Sequence, residues 1–250
     1  MVWSPVDYRA VSVLAREVGM EMISRLDWMS LQPKVIVDLG GGTGEMSGEL
    51  QKRYQDAEVI TLDSSEDMVK AAKQFAPSLS CVCGDALSLP FLDHSVDMIF
   101  ANLLIPWEEN VDSLLRECNR VLTKDGLILF SALGLDTLKE WGTIKLKQCV
   151  IPHFIDMHDV GDLMLQVFAD PVLDVDYYTM TYRDPSSLLS ELQKTGMIDA
   201  IPHDHEEVTR EVTYEVIFAH AFKKEQSETA SASSDGIVRV PLSHLRRQLR

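Results

Sequence analysis

Three things are scarce in this chain of 250 residues: paired cysteines, positive charge and long apolar runs. The four cysteines, Cys81, Cys83, Cys118 and Cys149, form no C-x-x-C pair. A chain of this size needs no disulfide scaffold, so they are expected to be reduced and mostly structural. Lysine and arginine together number 23 against 39 aspartates and glutamates, a formal net charge of −16. That balance argues against nucleic acid as the main partner, because phosphate binding rests on clustered cations. No stretch reaches the roughly 18 consecutive apolar residues of a membrane span. Asp7, Arg9, Arg16 and Glu17 also interrupt the place where a secretory apolar segment would lie. The expected location is therefore the cytoplasm, with no membrane partner, and no internal repeat is visible.

Hydrophobic residues make up 46% of the chain, enough for the core of one α/β domain over residues 1–224. Val6 to Met29 carries apolar positions at helical spacing and reads as one leading helix or two. Short apolar runs at Val35–Leu39, Glu58–Leu62, Leu79–Cys83, Val96–Ala101 and Leu127–Phe130 read as strands. Helical patterns at Glu45–Tyr54, Glu66–Phe75 and Asn110–Leu122 separate them, an alternation that means a parallel sheet. Further helices are expected at Leu138–Leu146, Val160–Phe168 and Ser186–Lys194. Val172–Tyr182 and Val212–Phe222 are β-branched and aromatic and should close the sheet as an antiparallel edge. The Ser- and Ala-rich segment from Glu225 to Asp235 is expected to be a flexible linker, followed by a basic tail, Ile237 to Arg250.

The central signal is Asp38-Leu39-Gly40-Gly41-Gly42-Thr43-Gly44, with glycines at alternate positions between a strand and a helix. Glycine lets a backbone come close to a ligand. The dinucleotide fingerprint G-x-G-x-x-G fails on spacing, because its third glycine would fall on Glu45 or Ser47. The acid-x-G-x-G-x-G form resembles instead the first motif of class I S-adenosylmethionine methyltransferases, a Rossmann-like doubly wound fold. That resemblance implies S-adenosylmethionine as cofactor, with Asp38, Gly40, Gly42 and Gly44 forming the loop that holds its amino-acid moiety. Asp63 ends the second strand where doubly wound folds place the acceptor of ribose hydroxyls, and Ser64 and Met68 beside it are assigned to the same site. By resemblance Asp85 takes the adenine amino group and Ala86 packs the ring, while Asn102 and Leu103 face the methyl group. Each acid alone would be read as a helix cap or turn carboxylate; their joint placement at successive strand ends favours the cofactor. His203-Asp204-His205-Glu206 reads as a solvated turn, so no metal is expected.

The chain also resembles one branch of that fold, the malonyl-acyl-carrier-protein O-methyltransferases of biotin synthesis. The resemblance rests on Tyr8 with Val13 to Val18, Leu89-Pro90-Phe91, Asn102-Leu103 with Pro106-Trp107, and Arg120-Val121-Leu122. Most specific to the branch are Leu133-Gly134-Leu135-Asp136-Thr137-Leu138 and Phe154-Ile155-Asp156-Met157-His158-Asp159. It implies methylation of the free carboxylate of a malonyl thioester on acyl carrier protein. Such a nucleophile is ionised near neutral pH and needs no general base, so desolvation and alignment are what the protein must supply. Tyr8, then Trp107 and His153, are the expected positioning residues; a helix-start hydrogen bond is the simpler reading of His158. Lys139, Lys145 and Lys147, or the arginines of the tail, would dock the acidic carrier. Pro106 and Pro152 depart from the family's pattern. They leave open a different small-molecule acceptor or a copy that binds the cofactor without turnover.

Overall fold

Val35–Leu39 forms β1 of a computed structural model whose described residues are 4–105, 110–141, 154–198, 201 and 208–223. Ile36 enters one core, Val37 and Leu39 another, which is why this strand reads as apolar on both faces. β2 (Glu58–Asp63), β3 (Ser80–Cys83), β4 (Val96–Ala101) and β5 (Leu122–Leu133) continue the parallel sheet. β6 (Phe168–Thr181) and β7 (Glu211–Lys223) complete it, β7 running antiparallel to both β5 and β6. The order is β3-β2-β1-β4-β5-β7-β6, the expected seven-stranded, doubly wound sheet with an antiparallel edge.

The helices are α1 (Pro5–Val11), α2 (Val13–Arg25), α3 (Glu45–Arg53), α4 (Glu66–Phe75), α5 (Val111–Val121), α6 (Met157–Val167) and α7 (Pro185–Lys194). Leu14, Val18 and Met22 of α2, Leu50 of α3 and Leu188 and Leu192 of α7 pack on one face with Phe100, Leu129 and Phe218. Leu114, Leu115 and Cys118 of α5 and Val160 and Met164 of α6 pack on the other with Ile99, Phe130 and Ile217. The chain moves outward from β1 to β3 and then returns to lay β4 on the other side of β1. That reversal opens a crevice beyond the carboxyl ends of β1 and β4, the place where such sheets take ligands.

Several boundaries differ from the sequence reading, each for a local reason. The leading segment takes the second of its two expected forms, a pair of helices broken at Ser12 (φ −76, ψ 52). α6 begins at Met157 rather than Val160, because the Asp156 side chain accepts the His158 backbone N–H and caps it. β6 begins at Phe168, with a bulge between Ala169 and Val172 and Asp170 at φ 45. Leu135 to Glu140 form turns, with Leu138 at φ 55, where a helix was expected to start. Residues 142–153, and the linker and tail expected at 225–250, lie outside the described residues.

The run Leu133 to Leu138, one of the two most specific to the branch, fastens the end of β5 beside the crevice. Gly134 N–H donates to the Glu215 carbonyl at 2.8 Å, and the Thr137 hydroxyl donates to the same carbonyl at 3.2 Å. The Glu215 side chain accepts the Asp136 N–H at 2.6 Å. Together they lock the turn after β5 onto β7, and a Cβ at Gly134 would collide with the Glu215 side chain.

Candidate functional site

The loop after β1 turns back on itself through three left-handed residues, Gly40 (φ 71), Gly42 (φ 53) and Gly44 (φ 79). Non-glycine residues rarely adopt this region. Gly40 and Gly41 donate their N–H groups to the Leu62 carbonyl at 2.8 and 3.2 Å. Gly42 N–H donates to Asp63 Oδ2 at 3.0 Å, and Ser65 N–H to Asp63 Oδ1 at 2.8 Å. One carboxylate thus holds the glycine loop to the end of β2. Burial pushes the Asp63 carboxyl up from its ordinary range, and the two N–H groups pull it back.

Asp38, 1% exposed, lies beneath the loop. Ser47 donates its hydroxyl to Asp38 Oδ2, and Thr61 donates in turn to Ser47 Oγ at 2.6 Å. Burial raises the Asp38 carboxyl to about 6, the Ser47 hydrogen bond opposes the rise, and the nearby Asp63 charge adds to it.

Above the loop lies a cleft of about 420 Å³ lined by Tyr8, Ser12, Arg16, Asp38, Gly42 and Asn102 among others. A Cβ built on Gly42 meets nothing within 4 Å, so this glycine faces open space that any side chain would fill. The α1 helix closes over one side without burying a residue of its own. Arg9 Nε bonds Glu45 Oε1 at 2.9 Å, and its guanidinium stacks 3.8 Å from the Phe75 ring centroid. Arg16 adds a second contact to Glu45 at 3.5 Å. This clamp joins residues far apart in the chain, and no sequence pattern marks it.

A second cleft, of about 510 Å³, adjoins the first and is mostly apolar. Tyr8, Ser12 and Ala15 line both; Leu14, Leu103, Leu133, Glu191 and Tyr214 are among the residues that line the second alone. Tyr8 is half-buried at the junction. Burial, then the charges of Asp63 and Glu45, push its hydroxyl up to about 12, so it keeps its proton across the working range of pH.

The sequence candidates divide accordingly. Asp38, Gly40, Gly42, Tyr8 and Asn102 meet around the first cleft. Asn102 donates Nδ2 to the Ala15 carbonyl at 2.6 Å and accepts from Ser131 Oγ at 3.0 Å, tying α2 to the end of β4. Leu103 (φ 53) turns toward the second cleft, its N–H held by Ser131 Oγ at 2.9 Å. Gly44 is the N-cap of α3, Ser64 is exposed, and Met68, 4% exposed, lies in the first turn of α4. Asp85 is exposed and its Oδ1 accepts the Leu87 N–H at 2.8 Å, while Ala86 is half-buried beside it. His158 is 85% exposed and bonds Asp156 at 2.8 Å, the helix-start arrangement its sequence context suggested. Trp107, His153 and the segment His203 to Glu206 lie outside the described residues. Among the described residues no cluster of three or more His, Cys, Asp or Glu could hold a metal ion. No described helix is long and apolar enough to cross a membrane.

A methyltransferase domain family matches residues 37–130, from β1 through β5. A malonyl-[acyl-carrier protein] O-methyltransferase of Halorhodospira halophila is 33% identical over 97% of this chain and 92% of its own length. One of Methylovorus is 35% identical over 86% of this chain and 84% of its own. The chain belongs to the malonyl-[acyl-carrier protein] O-methyltransferase family. This is an S-adenosylmethionine-dependent methyltransferase family. The fold agrees across wide divergence. The YcgJ protein of a Bacillus superposes with a TM-score of 0.65 at 18% identity, covering 82% of this chain and 99% of that one. A geranyl diphosphate C-methyltransferase of Streptomyces coelicolor, solved with S-adenosyl-L-homocysteine, gives 0.55 at 12% identity, covering 81% and 76%.

The residues present fit the family's cofactor. Gly42 leaves the floor of the cleft open, and the Asp63 carboxylate stands at the strand end beside it.

Proposed function

We propose that this chain methylates the free carboxylate of a malonyl group carried as a thioester on acyl carrier protein. The observation that carries the reading is the similarity to enzymes of that name across nearly the whole chain, both cleft walls included. When bound, S-adenosylmethionine supplies an electrophilic methyl group on a cationic sulfur. Gly40, Gly42 and Gly44 would hold its amino-acid end, Asp63 its ribose hydroxyls with Ser64 and Met68 nearby, and Asp85 and Ala86 its adenine.

The rest is positioning. A carboxylate acceptor carries its own negative charge at neutral pH, so no side chain has to remove a proton. The apolar second cleft strips water from the acceptor and leaves its carboxylate at the Tyr8 junction. Tyr8, protonated there, donates to one carboxylate oxygen and fixes the approach of the other. Trp107 and His153 are proposed to complete the acceptor site. Lys139, exposed beside Tyr177 at 5.2 Å from the ring centroid, is proposed to meet the acidic carrier together with Lys145 and Lys147.

The test is transfer of labelled methyl from S-adenosylmethionine to malonyl-acyl carrier protein, with acetyl- and succinyl-loaded carriers alongside. Label appearing on the malonyl carrier alone is the expected result. Equal labelling of all three, or of none, would overturn the choice of acceptor.

A further inference from the structure

Among the described residues that line it, the second cleft holds one carboxylate and no cation. Its lining is Tyr8, Ser12, Leu14, Ala15, Leu103, Leu133, Thr195, Met197 and Tyr214 around Glu191, a residue that sequence reasoning did not single out. Glu191 sits in the last turn of α7, half-buried. Tyr182 donates its hydroxyl to Glu191 Oε1 at 2.9 Å and is the only hydrogen-bonding partner of that carboxylate among the described residues. Tyr182 belongs to the segment after β6, so the contact fixes Glu191 from a second element. Among the described residues no lysine, arginine or histidine lines the cleft to neutralise it.

We propose that Glu191 is a specificity-determining residue that admits an acceptor whose far end is neutral and rejects one whose far end is a second carboxylate. This rests on the malonyl-thioester reading above. A malonyl thioester has one carboxylate, which goes to Tyr8, and an uncharged thioester at the other end. Free malonate has a carboxylate at each end. With one at the Tyr8 junction, the other enters the apolar cleft facing Glu191, where two like charges repel and no cation among the described lining residues offsets them. The fixed negative charge therefore does by repulsion what the apolar wall cannot, since the two acceptors share the same three-carbon acyl unit.

The experiment measures kcat/KM for malonyl-acyl carrier protein and for free malonate, at neutral pH, in the wild type, Glu191→Gln and Glu191→Asp. Glutamine keeps an oxygen acceptor for Tyr182 and removes the charge; aspartate keeps the charge and changes the length. The expected result for Glu191→Gln is a rise on the order of tenfold or more with free malonate, with the thioester changed by less than about threefold. Glu191→Asp should keep the wild-type preference. Equal losses on both acceptors in Glu191→Gln, or an unchanged ratio, would assign Glu191 to packing alone and overturn the inference. If the wild type does not methylate the malonyl carrier at all, the acceptor reading fails first and the inference falls with it.

Discussion

Asp63 Oδ2 accepts the backbone N–H of Gly42 at 3.0 Å, so the carboxylate that ends β2 also holds the glycine loop that follows β1. Its other oxygen takes Ser65 N–H at the start of α4. A single side chain therefore shapes the cleft floor before any ligand arrives.

Asp63→Ala removes both acceptors. Each charge-assisted hydrogen bond is worth about 1.5–3 kcal/mol. The variant should lose stability in the absence of ligand and should also lose S-adenosylhomocysteine binding in calorimetry. Asp63→Asn, which keeps one acceptor oxygen, should recover part of the stability and little of the binding. Wild-type affinity in either variant would remove Asp63 from the site.

Gly42→Val is expected to behave differently. Its Cβ meets no protein atom, so the folded structure suffers only the left-handed backbone cost, about 1–2 kcal/mol. The cleft, by contrast, is filled. Affinity for S-adenosylhomocysteine should fall by roughly a hundredfold or more, about 3 kcal/mol, while urea denaturation still gives one cooperative transition. Retained binding would show that the loop faces something other than the cofactor.

The buried Asp38 carboxyl gives a signature in pH. Its value rises from 3.8 to about 6 on folding, chiefly through burial. The folded chain therefore binds a proton that the unfolded chain has already released in that window. The stabilisation is full below about pH 4, drains away as pH climbs through about 6, and amounts to about 3 kcal/mol. Asp38→Asn lacks this titration and can still accept from Ser47. The stability difference between wild type and Asp38→Asn should grow from pH 4 to pH 6 in favour of the variant and then level off, as read by urea denaturation without cofactor. A flat difference would mean that Asp38 is ionised throughout.

Tyr8→Phe tests the junction of the two clefts. Losing one hydrogen bond to a charged acceptor should lower kcat/KM for the malonyl thioester by about ten- to a hundredfold. S-adenosylhomocysteine affinity should change by less than about threefold, since the ring still covers the cleft. A variant that loses both equally would make Tyr8 a wall residue and nothing more.

The parts of this site legible in the sequence are those whose chemistry is local. The alternate glycines after β1 declare a left-handed loop within seven residues, Asp38 to Gly44, and Asp63 follows from the rule that ligands gather at strand ends. β1, β2 and β4 were legible for the same reason, being short, apolar and separated by helices, whereas β6 and β7 were read from their β-branched and aromatic residues. What stayed hidden is made by contacts between distant segments. Arg9 meets Glu45 and Phe75 through the fold alone, and Glu191 reaches the second cleft because α7 packs beside α1. The branch-specific runs were legible as motifs but not as parts: Gly134, Thr137 and Asp156 turn out to fasten a turn and cap a helix. The break at Ser12 is equally silent, since Ser12 continues the helical spacing on both sides.

Tyr8, Ser12 and Ala15 belong to both clefts at once. A ligand in one cleft that shifts this partition changes the wall that a ligand in the other meets. Linkage then requires the effect to be mutual: whatever factor the first ligand imposes on the second, the second imposes on the first. The α1 helix carries Tyr8 of that partition and is fastened through Arg9 rather than through a buried core. A change in how Arg9 anchors α1 is therefore a change to the walls of both clefts together.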